Sequence, residues 1–259
     1  MGWKEFCDKS YKYLLSILPD SLKESNLDKY FLWDSMELNS LKDVFWRLVW
    51  SAQNYQMLPN VINYYWRKKE IDEILFWLNH KKVLESYSVE DLFNVFQNKY
   101  RFTIRDTKRN SRLKRTKSII SSAKFLNQFE SIEDFKQFVD RFSYNEVTRA
   151  ALPMLISHEV SWIGFALACD FIKELWYTEY CKPDVHLMDV FEWLWLCERN
   201  DYSTFKCIVK IANEWWITPY KLDKIIWLIC SGFFYFENIK IWSHKKEFIE
   251  YMRINLYEN

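Results

Sequence analysis

The segment Pro183-Asp184-Val185-His186 contains residue types that could do chemistry. Asp184 follows a proline and precedes an apolar run, VHLMDVFEWLWLC, so it is predicted to be the N-cap of a helix. A carboxylate that accepts hydrogen bonds from the first amides of a helix is expected to stay ionised. It can stabilise a developing positive charge or orient a water molecule. A plain helix cap without a chemical role is the alternative interpretation.

A second candidate element is the short turn that contains Gly164, one of three glycines in the chain. The segment EVSWIG, residues 159–164, is predicted to connect a helix that ends near His158 to a helix that begins FALACDFIKELW. A glycine there can adopt a positive φ and lets the backbone approach another molecule closely. The free amides of the second helix would form a phosphate site, although a helix cap without a ligand remains the alternative.

A third feature is a basic segment. Residues 101–117 contain eight Lys or Arg and one Asp, whereas the whole chain has a formal net charge of +1. Such a patch suits a polyanion, although a basic run is also typical of a solvated loop.

The amino-acid totals favour an all-α protein that positions these elements on helices. Hydrophobic residues make up 49% of the 259-residue chain, which is enough for a substantial core. Five prolines and three glycines are too few for a β-sandwich or a β-barrel. The length suits one large domain or two small ones.

The cysteines and the apolar stretches indicate a cytoplasmic protein. The six cysteines form no CxxC pair and are expected to be reduced, and the sequence begins without a signal-peptide pattern. The most apolar stretch, IIWLICSGFFYF, is too short to span a bilayer.

Helix boundaries follow from capping residues and periodicity. Ser40, Ser88 and Ser131 each precede an apolar-periodic run and have an Asp three residues later, which predicts a helix start at each. Residues 59–79 are predicted to form one helix, and residues 143–158 a helix that is broken or ended near Pro153.

Two separated segments, VSWIGFALA at 160–168 and PDVH at 183–186, resemble the helix-hairpin-helix/GPD superfamily of DNA glycosylases, which includes endonuclease III. The family pattern is roughly LPGVGxKxA, a variable loop, then VDxH. The separation of Ala166, at the family's lysine position, from Asp184 matches that of the family. The segment LVWSAQ at 48–53 is similar to the family's LLSAQ, and RLKRTKSIISSAKFL is similar to the helix that precedes its hairpin. The resemblance covers about 42–200.

The resemblance implies an all-α fold of two helical lobes with a cleft between them. Residues 42–182 would form the lobe that ends in the helix-hairpin-helix motif, and 1–41 plus 183–259 the second lobe. The implied function is base-excision DNA repair by a monofunctional glycosylase, which hydrolyses the N-glycosidic bond of a damaged or mismatched base flipped into the cleft. Asp184 would be its catalytic carboxylate, with Lys182 and His186 in support.

The resemblance also implies a DNA-binding surface. Gln53 would fill the gap that the flipped base leaves, the hairpin amides would hold a phosphate, and the basic segment would add phosphate contacts. The residues of this implied surface are Gln53, Arg112, Lys114, Arg115, Lys117, Trp162, Gly164 and Ala166.

This chain departs from the family pattern at three positions. Trp162 replaces the first hairpin glycine, Ser161 replaces the usual proline, and Ala166 replaces the lysine of the bifunctional members. Without that lysine no Schiff base can form on the sugar, so no strand cleavage is expected. The four-cysteine iron–sulfur pattern of some members is absent, so no cofactor and no metal are expected. The expected partner is double-stranded DNA carrying a lesion or mismatch, bound by a monomer away from membranes. A non-catalytic DNA-binding protein derived from this fold is the alternative.

Overall fold

The computed structural model describes residues 3–31, 38–52, 67–101 and 111–257. These residues are mostly helical, with one antiparallel pair of very short strands, which confirms the all-α class. Gln53, the remainder of the segment 53–66 and most of the basic loop, 102–110, lie outside the described residues.

The chain divides into two compact units. One unit combines Met1–Met36 with Trp176–Asn259, and the other consists of Glu37–Leu175. The first unit is therefore discontinuous in sequence. The predicted cleft between two lobes stays a prediction.

The continuous unit is built around α7 (Ser111–Leu126), which packs against α3 (Leu41–Ser51), α5 (His80–Ser86), α6 (Val89–Tyr100) and α10 (Ala151–Glu159). Its inward face buries apolar side chains, and each that is fully buried contributes about 1.5–3 kcal/mol. Ile119, Ala123 and Leu126 are examples with no exposed surface. The remaining helices of this unit are α4 (Lys68–Ile74), α8 (Ile132–Ser143), α9 (Glu146–Arg149) and α11 (Phe165–Lys173).

The discontinuous unit is built around α14 (Pro219–Ser231). This helix packs against α1 (Trp3–Ser16), α2 (Asp28–Phe31), α12 (Val185–Trp193), α13 (Asp201–Glu214) and α15 (Lys245–Tyr257). A 3-10 helix (Glu24–Asn26) and the strand pair β1 (Phe233–Phe234) and β2 (Ile239–Lys240) complete the unit.

Capping residues define both ends of α14. The Thr218 hydroxyl accepts a hydrogen bond from the Lys221 amide at 3.1 Å, and Pro219 occupies the first helical turn, where its missing N–H has no cost. Gly232 ends the helix at φ +62, and a Cβ there would lie 2.5 Å from the carbonyl oxygen of Trp242. Only glycine fits this position, because both the left-handed backbone and the close approach exclude a side chain.

The helix starts predicted from serine caps are confirmed. The Asp91 and Asp134 amides donate to the Ser88 and Ser131 hydroxyls, each at 3.1 Å. The Ser40 amide donates to the side chain of Asp43 at 2.9 Å. These short-range bonds satisfy amides that the helix itself leaves without partners.

Two predicted helices differ in the structure. The helix predicted for 59–79 ends at Ile74, because Phe76, Trp77 and Leu78 adopt consecutive left-handed backbones, which no right-handed helix accommodates. The predicted break near Pro153 is found at Ala150, where α9 ends after Arg149 and α10 begins at Ala151. Pro153 lies in the first turn of α10, where proline is tolerated, and the helix continues to Glu159.

No described helix is both long and apolar enough to cross a membrane.

Candidate catalytic carboxylate and hairpin surface

Asp184 is the N-cap of α12, as the sequence predicts. Its backbone is extended, with φ −80 and ψ 179, and its Oδ1 accepts hydrogen bonds from the amides of His186 at 2.8 Å and Leu187 at 3.2 Å. Within the described part of the chain, both hydrogen bonds to this carboxylate end on Oδ1. The cap therefore uses one carboxylate oxygen and leaves Oδ2 for another interaction.

A second carboxylate, Asp223 on α14, lies close to Asp184. Asp223 is 2% exposed, and its Oδ2 accepts a hydrogen bond from the Lys182 amide at 2.7 Å. The Asp184 amide donates to the Lys182 carbonyl at 2.8 Å. Asp223 thus holds the loop that carries Asp184, through the backbone of Lys182.

Burial raises the pKa of the Asp184 carboxyl, and the neighbouring Asp223 carboxylate raises it further. The positive charges of His186 and Lys182 and the Leu187 amide lower this pKa, but their combined effect is smaller. The cap amides therefore do not lower the pKa of this carboxyl below its ordinary value, as a cap alone would. The cap amides favour ionisation, whereas the buried carboxylate pair opposes it.

His186 is the second residue of α12, beside this pair. Its Nδ1 atom is buried and has no hydrogen-bond partner among the described residues. Buried polar atoms are nearly always hydrogen-bonded, so an imidazole nitrogen in this position is suited to a water or a ligand atom. Lys182 and His186 are thus both placed beside Asp184 in the discontinuous unit.

The hairpin turn lies in the continuous unit, where α10 and α11 pack against each other. Val160 and Ile163 are buried beneath the turn, and the Ile163 amide donates to the Val160 carbonyl at 3.3 Å. Apolar side chains therefore fix the turn from below and leave its other residues at the surface.

The left-handed backbone of this turn is at Trp162 and not at the glycine. Trp162 has φ +68, whereas Gly164 is the N-cap of α11 with φ −77 and ψ 174. Gly164 therefore does not use the positive φ that a glycine can adopt. Trp162 has the backbone conformation that glycine adopts most easily, and by the sequence resemblance it stands where a glycine is expected.

Gly164 has open space around it. A Cβ at this position would meet no atom of the described residues within 4 Å, and the residue is exposed. Glycine has no side chain to cap α11, so the first amides of that helix receive no cap from this residue. Ala166 lies in this first turn and is half-buried.

Helix α7 is attached to the hairpin turn by two contacts. The Ser161 amide donates to the Ser121 hydroxyl at 2.9 Å, and the Lys114 ammonium lies 3.8 Å from the ring centroid of Trp162. A cation–π contact near the surface contributes about 0.5–1 kcal/mol. The structure therefore brings together one basic residue of the predicted DNA surface and the predicted hairpin.

The basic residues of α7 differ in exposure. Lys117 is exposed, and Arg112 and Lys114 are half-buried. Arg115 is 9% exposed and belongs to the interior of the unit, so it offers little surface for a DNA phosphate and is left out of the surface proposed below. Its helical position turns it towards the packed side of α7, a detail that the charge run alone does not indicate.

Sequence reasoning missed Asp223. It lies between Leu222 and Lys224 in a buried helix and 39 residues after Asp184, so no local pattern connects the two carboxylates. The one available signal is an acidic residue just before the apolar run IIWLIC, since burying a charge in such a helix is costly. Among the described residues, no group of three or more His, Cys, Asp or Glu side chains is arranged to hold a metal ion.

The chain matches no model of a known protein family, and no curated protein or solved structure matches it. The geometry of Asp184 and of the hairpin turn is therefore the basis for a functional assignment.

Proposed function

We propose that this protein is a monofunctional DNA glycosylase of the helix-hairpin-helix type, with Asp184 as its catalytic carboxylate. The observation that carries the proposal is the state of Asp184. Its Oδ1 accepts hydrogen bonds from two helix amides, whereas its Oδ2 accepts none from the described residues. The pKa of its carboxyl is raised by burial and by Asp223. Perturbed carboxylates of this kind concentrate at functional sites.

The chemistry follows from the charge that develops when an N-glycosidic bond breaks. The sugar gains cationic character, and a fixed carboxylate in a partly buried position stabilises it more strongly than one in water. A carboxylate with a raised pKa is also a stronger base for the attacking water. Asp184 acts in its ionised form, so excision is expected to increase as the pH rises through the pKa of Asp184.

The expected product is an intact abasic site. Schiff-base chemistry on the sugar needs an amine at the position where this chain has Ala166. The Lys182 ammonium is two residues from Asp184 and acts on the charge of that carboxylate. We therefore assign Lys182 an electrostatic role and no covalent one.

DNA binding is proposed to use the hairpin turn and the adjoining face of α7. The amides of the first turn of α11 would donate to one phosphate, as helix N-termini do. Lys114 and Lys117 would neutralise further phosphates, and so binding is expected to weaken as salt rises. The contacts of Lys114 with Trp162 and of Ser161 with Ser121 support this surface, because they fix α7 against the turn.

A panel of duplexes tests the function directly. The purified protein is incubated with duplexes that carry an alkylated, oxidised, deaminated or mismatched base, and abasic sites are then cleaved with alkali. We expect cleavage on at least one duplex after alkali, and none before it. Cleavage on no duplex despite salt-sensitive binding supports the non-catalytic DNA-binding protein, for which the Lys114–Trp162 contact in the hairpin is the favouring observation. Absence of both binding and cleavage contradicts both proposals.

Gly164→Ala is expected to weaken DNA binding without harming the fold. The backbone is already extended and the space is open, so alanine fits, and the stability change is expected to stay within about 1 kcal/mol. A methyl group there would obstruct a phosphate, and loss of one hydrogen bond to a charged group, about 1.5–3 kcal/mol, corresponds to about a tenfold loss of affinity or more. Fluorescence anisotropy with a labelled duplex measures this change.

Met154→Ala provides a matched control, because Met154 is an exposed residue of α10, the first helix of the same hairpin. Its affinity is expected to match that of the unchanged protein. Equal affinities for Gly164→Ala and Met154→Ala would remove the turn from the proposed DNA surface.

A further inference from the structure

Two cysteines of the discontinuous unit lie against each other outside the proposed site. Cys197 is in the segment that connects α12 to α13, and Cys207 is in the second turn of α13. The Cys207 thiol donates to the Leu196 carbonyl at 3.7 Å, and the Cys197 sulfur lies 3.7 Å from the hydroxyl of Thr204. Thr204 and Cys207 are three residues apart and share one face of α13, so both contacts hold Cys197 against that face.

The same contacts place the two sulfurs beside each other, and Cys207 is the largest single influence on the Cys197 thiol. Both residues are half-buried, whereas Cys7, Cys169, Cys181 and Cys230 are buried. This pair is therefore the one among the six cysteines that combines sulfur–sulfur proximity with access to solvent.

The environment makes the two sulfurs chemically different. The neighbouring Cys207 thiol lowers the pKa of the Cys197 thiol to about 7, the Thr204 hydroxyl adds to this effect, and burial and Glu198 oppose it. The pKa of the Cys207 thiol is shifted in the opposite direction. The neighbouring Cys197 raises the pKa of Cys207, burial raises it further, and Lys210 offsets only part of this.

We propose that Cys197 and Cys207 are a redox-active dithiol, which hydrogen peroxide oxidises to an intramolecular disulfide. In the first step the Cys197 thiolate attacks the outer peroxide oxygen, the O–O bond breaks, and hydroxide leaves, which gives a sulfenic acid. In the second step the Cys207 thiol attacks that sulfur, the S–O bond breaks, and a water molecule leaves as the disulfide forms. In total the protein loses two hydrogen atoms, that is two protons and two electrons, and one hydrogen peroxide is reduced to two water molecules.

The disulfide would connect the segment after α12 to the middle of α13. Residue Asp184 begins α12, and Cys197 lies a few residues past the end of that helix at Trp193. Oxidation would thus fix the far end of the helix that the proposed catalytic residue caps. The dithiol itself does not depend on the glycosylase proposal, because its evidence lies in the sulfur contacts alone.

Two opposing factors set how fast the Cys197 thiol reacts at pH 7. At pH 7 a thiol of pKa about 7 is about 50-fold richer in thiolate than a thiol with the ordinary value of 9.0. The lower basicity reduces the intrinsic nucleophilicity by roughly eightfold, so the net gain is about sixfold. Cys197 is therefore expected to react first with iodoacetamide at pH 7, at least about sixfold faster than buried Cys230, whose pKa is raised by burial.

The experiment treats the full-length reduced protein with stoichiometric hydrogen peroxide and measures its intact mass and its peptide map. The expected result is the loss of two hydrogen atoms and a linked peptide pair that contains Cys197 and Cys207. In Cys207→Ser the reaction should stop at the sulfenic acid, which dimedone traps at residue 197. In Cys197→Ser neither product should form, and Cys230→Ser should behave as the unchanged protein. Thermal melting of each variant shows that it is folded.

Two outcomes overturn the proposal. One is a folded protein in which peroxide produces no linkage between residues 197 and 207. The other is a Cys197 that reacts with iodoacetamide no faster than Cys230 does.

Discussion

Asp184→Asn is expected to abolish base excision while making the folded protein more stable at neutral pH. Asparagine caps a helix about as well as aspartate does, so the hydrogen bonds to the His186 and Leu187 amides can persist. The negative charge is lost, and with it the group that stabilises the cationic sugar and activates water. The excision rate is expected to fall about 100-fold or more.

The stability gain follows from the direction of the pKa shift. The pKa of Asp184 is raised above its ordinary value of 3.8, so the folded state holds this proton more tightly than the unfolded chain does. The free energy of unfolding therefore falls as the pH rises from 3.8 through the raised pKa, and ionised Asp184 destabilises the fold above that range. A neutral asparagine removes this cost. Each 1 kcal/mol gained raises the melting temperature by about 2–4 °C in a protein of this size class.

Asp189→Asn is the matched control for stability, because it is the same substitution in the same helix. Burial opposes the ionisation of Asp189, but its hydrogen bonds with Lys245 and Arg199 outweigh burial and lower its pKa. The Lys245 ammonium lies 2.7 Å from Oδ2. The stability that Asp189 provides is present above its ordinary pKa of 3.8 and is lost as the pH falls through the lowered value. Asp189→Asn should therefore lower the melting temperature at pH 7, whereas Asp184→Asn raises it. A lower melting temperature for Asp184→Asn would show that its charge stabilises the fold as an ordinary cap does.

Asp223→Asn is expected to shift the acidic side of the excision profile to lower pH. The Asp223 carboxylate raises the pKa of Asp184, so removing its charge lets Asp184 ionise at a lower pH. The asparagine oxygen can still accept the Lys182 amide hydrogen bond, so the loop should keep its position. The remaining charged and titratable neighbours, His186, Lys182 and Cys230, are unchanged. The excision rate below the midpoint should rise, and the plateau at high pH should stay within about twofold.

Single-turnover rates across a pH series measure this shift. Asp189→Asn again provides the comparison, since Asp189 has no part in raising the pKa of Asp184. A profile for Asp223→Asn that superimposes on that of the unchanged protein would show that the carboxylate pair has no effect on the reaction. A lower plateau with an unshifted midpoint would instead assign Asp223 a purely positional role.

Local sequence patterns predicted the elements that depend on neighbouring residues. Ser88 and Ser131 cap helices because their hydroxyls reach amides three residues later, and Asp184 does the same two and three residues later. Asn200 caps the start of α13, Thr218 and Pro219 begin α14, and Gly232 ends it. The preference of each residue for a helix end is also local.

The features that the sequence did not predict depend on tertiary contacts. Trp162 adopts a left-handed backbone because buried Val160 and Ile163 fix the turn on both sides of it. The run Phe76, Trp77 and Leu78 is left-handed in a segment whose apolar pattern favours a helix. The Asp184–Asp223 pair forms because α14 packs against α12. The local sequence around Asp184 carries no information about a partner residue in another helix.

The most direct test of the account compares single-turnover excision by the unchanged protein, Asp184→Asn and Asp189→Asn. Each is incubated in excess over a duplex that the unchanged protein cleaves after alkali, and DNA binding is measured in parallel. We predict that Asp184→Asn binds the duplex but forms abasic sites about 100-fold more slowly or not at all. Asp189→Asn should retain its rate. Excision by Asp184→Asn at the rate of the unchanged protein would contradict the assignment of Asp184 as the catalytic carboxylate.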